Sequence, residues 1–132
     1  MDQEIYNKLP IDFNDVNPLT SKGGEIRVMI SPKTVRSTRL ILGHVVLKPG
    51  ETLVEHVHDY GEETFFVTKG SGTIYVDGVE KKIQKNSAMI VPQNSTHKLI
   101  NDHGSEDLEL IFATAPLAPT AKKGDRVVNE NK

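Results

Sequence analysis

"HVHDYGEETFFVTKG", residues 56–70, is the stretch on which the reading turns. Two histidines stand one residue apart, a reversal through "DYGE" follows, and "ETFFVTKG" has the look of a strand. Side chains alternate between the two faces of a strand, so His56 and His58 point the same way. On the next strand Glu63, Phe65 and Val67 share one face, and Thr64, Phe66 and Thr68 the other. Parity therefore sends Glu63, not Glu62, toward the histidines. The stretch predicts a hairpin across which three nitrogen and oxygen donors converge.

A fourth donor lies downstream. "NSAMIVPQNSTHKLIN", residues 86–101, reads as a strand, a turn at Pro92, Gln93 and Asn94, and a second strand that starts near His97. Proline ends strand pairing, and asparagine suits a turn. Antiparallel meandering would set "HKLIN" beside the earlier hairpin, with His97, Leu99 and Asn101 on one face. Three imidazoles and a carboxylate suit one divalent transition metal ion (Zn, Fe, Mn, Ni or Cu) and leave a coordination position or two open. Open positions favour chemistry over a purely structural role. The chain has no cysteine, so neither a thiolate site nor a disulfide is available.

The same grammar runs outward in both directions. From residue 25 short runs such as "EIRVMI", "TLVEHVH", "GTIYV", "SAMIVP" and "LELIFAT" alternate with turn residues at regular intervals, which indicates an all-β sandwich or barrel. Asp77-Gly78, between "TIYV" and "VEKKI", suits a two-residue type I′ hairpin. No long run holds a helical apolar period. The organisation expected is an N-terminal arm over 1–24, a barrel over 25–115 and a tail over 116–132. A length of 132 residues suits a single domain. A net charge of −2 gives little of the counterion-release drive needed for nucleic acid. The N-terminus lacks the apolar run of a signal peptide, and no stretch is long and apolar enough to span a membrane. A soluble cytoplasmic protein is the expectation.

On these residues the chain resembles the cupin superfamily, whose barrel is a double-stranded β-helix, or jelly roll. Gly50, His56, His58, Glu63 and Gly70 stand at the spacings of the family's first motif. Asn86, Pro92, Asn94, His97 and Asn101 stand at those of the second, with asparagine in place of both glycines. Asparagine tolerates the left-handed region better than other non-glycine residues, so the turns can survive. A narrower resemblance, over "RVMISPKTVRST", "LKPGETLVEHVHDYGEETFFVTKG" and "APLAPTAKKGDRV", is to monocupins of aromatic polyketide pathways, several described as polyketide cyclases. It implies a homodimer with His56, His58, Glu63 and His97 as metal ligands.

Other residues are assigned by their surroundings. Phe65, Met89, Val91, Leu99 and Phe112 are core positions that can also wall a substrate pocket. His44, on a face with Leu40, Leu42 and Val46, is a candidate proton shuttle if that face turns inward, alongside Glu63 as the other candidate acid–base group. Arg27 is a candidate contact for an anionic substrate, as is Arg36. Asp59 and Tyr60 shape the reversal, and His103 belongs to a solvated loop. Three functions fit: a metal-dependent enzyme using Lewis-acid chemistry (cyclisation, isomerisation or lyase type, polyketide-cyclase-like as the specific case) on a small oxygenated substrate; a metal-dependent dioxygenase; or a non-catalytic module that holds a sugar acid or similar ligand. The arm and the tail are the segments expected to exchange between protomers.

Overall fold

A computed structural model describes residues 1–128; residues 129–132, the end of the predicted tail, lie outside the described residues. Among the described residues, ten strands form two antiparallel five-stranded sheets. The first holds β1 (Glu25–Ile30), β2 (Ile41–Leu47), β9 (Leu108–Ala115), β4 (Glu62–Lys69) and β7 (Ala88–Val91), in that order. The second holds β10 (Arg126–Val127), β3 (Thr52–Val57), β8 (Thr96–Ile100), β5 (Ser71–Val76) and β6 (Val79–Gln84). β1–β2 and β5–β6 are hairpins within a sheet, and every other step along the chain crosses from one sheet to the other, the jelly-roll arrangement that the resemblance implied. The sheets stay separate rather than closing into one continuous barrel.

One local expectation changes as a result. β3 and β4, joined through Asp59–Gly61, are not a hairpin: β3 pairs with β8 and β10, and β4 with β7 and β9. The reversal is a corner between sheets. The hairpin at Asp77-Gly78 does form. Val76 pairs with Val79, and the two turn residues take φ of 50° and 80°, both positive as a type I′ turn needs.

The core is the space between the sheets. Val45, Leu47, Phe65, Val67, Val91, Leu108, Leu110 and Phe112 enter it from the first sheet, and Leu53, Ile74, Ile83 and Leu99 from the second. Burying an aliphatic or aromatic side chain of this kind contributes about 1.5–3 kcal/mol. Gly43 is part of this packing: a Cβ there would stand 2.4 Å from the Phe112 ring and 2.5 Å from the Arg27 carbonyl. The glycine leaves the room that the Phe112 ring fills.

Residues 1–24 pack on the outside. A short helix, α1 (Gln3–Lys8), is capped by the Asp2 carboxylate, and a 3₁₀ turn follows at Phe13–Asp15. Leu19 then bridges to Ile26, and the Lys22 carbonyl accepts from the Val54 amide. At the other end β10 pairs with β3 of the same chain. No helix among the described residues is long and apolar enough to cross a membrane.

Candidate metal centre

His56 sits on β3 directly opposite His97 on β8, so both project from the second sheet into the core. His58 follows just after β3 ends. Glu63 arrives from the first sheet, where Val91 and Thr114 flank it in register. All four are buried, and their donor atoms lie within 4.8 Å of one another. The cluster spans the gap between the sheets, and the parity argument for Glu63 holds: Glu62 is exposed on the outer face.

The turns that carry these residues are set by asparagine. Asn86 and Asn94 have φ of 71° and 68°, the left-handed conformation the replaced glycines would supply. The Asn94 amide donates to the His58 carbonyl at 2.9 Å, and Gln93 Nε2 donates to the Asp59 carbonyl at 2.8 Å. The β7–β8 turn thereby holds the segment just after β3, and His97 and His58 are located by one hydrogen-bonded unit.

Ring orientation follows from backbone partners. The Nδ1 of His56 lies 2.8 Å from the Val54 carbonyl, and that of His58 2.8 Å from the Gly124 carbonyl. A carbonyl only accepts, so each Nδ1 carries a proton, and in the neutral form of each ring Nε2 keeps its lone pair. His58 Nε2 lies 3.1 Å from Glu63 Oε1, and His97 Nε2 3.3 Å from Glu63 Oε2. The Thr114 hydroxyl donates to Glu63 Oε1 at 3.3 Å.

The electrostatics are those of a site short of positive charge. Burial, reinforced by the neighbouring His97, pushes His56 down to about 4 from its ordinary 6.5. Burial opposes ionisation of Glu63, yet His58 and His97 hold its carboxyl well below the usual range. Burial likewise works against protonation of His58, but the Glu63 carboxylate raises it above the ordinary histidine value. His58 Nε2 and both ring nitrogens of His97 are buried without an aligned hydrogen-bond partner. Buried polar atoms are rarely left so, because each costs about 1–3 kcal/mol. A divalent cation held by the three histidines and Glu63 would relieve part of this cost, so the donor set fits such an ion.

The expected pocket residues divide in two. Phe65, Met89 and Phe112 form one row across the first sheet, paired in register, one step from the row that holds Glu63. Val91 is in the Glu63 row itself, and Leu99 is two residues along β8 from His97. These line the inner faces beside the cluster.

Arg27 and His44 do not join them. They pair with each other across β1 and β2, and His44 pairs onward with the exposed Ile111. Gly43, Val45 and Leu47 take the inner face of β2, which leaves His44 on the outer one. There Phe13 covers both, its ring 4.0 Å from the Arg27 guanidinium carbon and 5.3 Å from the His44 ring. His44 Nε2 lies 3.3 Å from Glu109, and Arg27 is held by Glu25 and the Val16 carbonyl. Neither is positioned to act at the cluster. Arg36 is exposed and paired with Asp2. His103, in its loop, lies near Asp102 and Thr73 and away from the cluster.

Two contributors were absent from the sequence reading. Thr114 had a faint signal, as the polar end of the inward alternation Leu108, Leu110, Phe112. The Gly124 carbonyl had none, since a backbone acceptor leaves no mark on residue type. Two surface clefts, of about 220 Å³ beside Gly23, Lys48 and Glu51 and about 470 Å³ beside Ile11, Lys33 and Thr34, include none of the four clustered residues.

Comparison with known proteins agrees with this picture. The Cupin domain pattern matches residues 43–114. Protein SchB of Streptomyces halstedii is 32% identical over 114 residues, 86% of this chain and 82% of that one. The tetracenomycin polyketide synthase protein TcmJ of Streptomyces glaucescens is 29% identical over 123 residues, 93% of this chain and 82% of that one. Among solved structures, the polyketide cyclase RemF from Streptomyces resistomycificus superimposes with a TM-score of 0.67 at 17% identity, over 89% of this chain and 83% of that one.

Proposed function

The chain belongs to the cupin family, and on that premise we propose that it is a metal-dependent enzyme acting on a small oxygenated substrate, by cyclisation of a polyketide-like chain. The observation that carries the reading is the buried cluster of His56, His58, Glu63 and His97, whose donor atoms lie within 4.8 Å of one another. A divalent ion held there supplies Lewis-acid polarisation of a carbonyl or enol oxygen. Support for the substrate class comes from TcmJ, named as a polyketide synthase protein, and from RemF, named as a polyketide cyclase.

The chain's own residues then have separate tasks. Phe65, Met89, Leu99 and Phe112 present an apolar wall that orients a carbon skeleton and excludes water. Glu63 is the one carboxylate in the cluster; His58 and His97 keep it ionised, and an oxygen released from the ion would accept and return the proton, with Thr114 keeping the other oxygen in place. His44, on the outer face, has no part in this chemistry.

The test is turnover of a linear poly-β-ketone analogue by the metal-loaded protein without dioxygen. Ring-closed product, lost in Glu63→Gln, is the expected result. Strict dependence on dioxygen, with its stoichiometric consumption, would replace this reading with a dioxygenase. Tight binding of a sugar acid with no turnover of any analogue would replace it with a binding module.

A further inference from the structure

The segment after Pro116 returns to the ligand-bearing strand and grips it at several points. The 3₁₀ turn Ala121–Lys123 ends at Gly124, whose amide donates to the Ala121 carbonyl and whose carbonyl faces His58 Nδ1 at 2.8 Å. Asp125 forms an ion pair with Lys22 of the N-terminal segment. Arg126 makes a two-pronged contact with Asp59, Nε to Oδ2 at 2.9 Å and Nη2 to Oδ1 at 3.1 Å. Arg126 and Val127 pair with Val57 and His56, and the Val128 amide donates to the Glu55 carbonyl at 3.0 Å. Every one of these contacts lies within three residues of His58 or fixes the strap that reaches it. Together they cover the edge of β3 that β8 leaves free.

We propose that residues 124–128 are the positioning element of the centre, the Gly124 carbonyl fixing the tautomer and ring angle of His58. His56 donates the equivalent hydrogen bond to the Val54 carbonyl on its own strand, so it needs no outside help. His58 lies beyond the end of β3, where its Nε2 faces the Glu63 carboxylate but its Nδ1 has no local acceptor; the partner of Nδ1 is supplied from 66 residues away in sequence. Without that acceptor the Glu63 carboxylate, which only accepts, draws the proton of the neutral imidazole toward Nε2, and the form protonated there cannot ligate from that atom. Coordination by this histidine is thus linked to docking of the C-terminal strap, while His56 is independent of it.

The proposal rests on the metal-centre reading for its consequence, and the experiment separates the two. Two full-length variants loosen the strap by different means. Lys22→Ala/Arg126→Ala removes both side-chain clamps, and Val128→Pro removes the amide that bonds Glu55 while keeping every charge. Nitrogen-15 NMR of the metal-free protein reads the tautomer of each histidine, and competition with a chelator reads zinc affinity. Wild type should show His58 with Nδ1 protonated, and both variants should show mixed His58 tautomers with His56 unchanged. Zinc affinity should fall about 10–100-fold, the usual cost of losing an outer partner of a ligating histidine. Removing two cations would by Coulomb attraction alone tighten cation binding, so a loss in the double variant reports geometry rather than charge. A purely structural strap would lower the unfolding temperature and leave the tautomer as it was. Retention of a single His58 tautomer in both variants overturns the proposal. Failure of wild type to bind zinc would overturn the metal reading, and the tautomer result would still decide the strap's role.

Discussion

His56 and His97 stand directly opposite one another in the β3–β8 register, their ring centroids 3.9 Å apart. Two imidazoles this close cannot both be protonated cheaply in a buried site. The pair forms one wall of a centre whose other wall, Glu63, comes from the facing sheet.

Stability of the metal-free protein is predicted to peak near pH 6.5. The folded value of His56 lies at about 4, below its ordinary 6.5, so between the two the unfolded chain binds the extra proton. Stability therefore falls as pH drops through that window, by up to roughly 3 kcal/mol. Glu63 is depressed too; its contribution is present above its ordinary 4.5 and is lost only as pH falls toward its lowered folded value. His58 is raised, so its contribution is complete below 6.5 and is lost as pH rises through the folded value. Urea unfolding from roughly pH 4.5 to 8.5 should trace both limbs. His56→Gln should flatten the acid limb and His58→Gln the alkaline one.

The outer face of the first sheet should be separable from the centre. Phe13→Ala removes a ring that covers Arg27 and His44, and is expected to cost about 1–2 kcal/mol in unfolding free energy. It should leave zinc affinity unchanged, as should His44→Ala. A loss of metal-dependent turnover in His44→Ala with normal zinc content would contradict the placement of His44 outside the chemistry.

Asn94 is predicted to be required for its backbone conformation. Its φ of 68° disfavours ordinary side chains, and its side chain makes no hydrogen bond among the described residues. Asn94→Ala should destabilise by about 1 kcal/mol, while Asn94→Gly should stay within about 0.5 kcal/mol of wild type. Equal effects of the two substitutions on the denaturant midpoint would argue against this account of the turn.

The sequence was most legible where periodicity and backbone chemistry act locally. Alternation placed Glu63 inward and Glu62 outward, and Asp77-Gly78 marked its hairpin. Asparagine at 86 and 94 kept the turns that glycine would make. It was least legible where the answer depends on which sheet a strand joins. β3 and β4 follow one another as hairpin strands do, and only their partners reveal a corner. Both faces of β2 are largely apolar, with Ile41, Val45 and Leu47 against Leu42 and Val46, so alternation could not say which face turns inward. The side on which His44 and its register partner Arg27 lie was left open for that reason. Gly124 was invisible because its contribution is a backbone carbonyl delivered by chain reversal.

The most direct test of the central claim is the metal content of purified protein after loading with cobalt(II) and desalting, for wild type and for His97→Ala, with circular dichroism to verify the fold. The account predicts a single ion per wild-type chain, with the absorption of a nitrogen- and oxygen-ligated cobalt site, and no retained ion in a folded His97→Ala. A wild-type chain that retains no metal, or a His97→Ala variant that keeps the full complement, would contradict it.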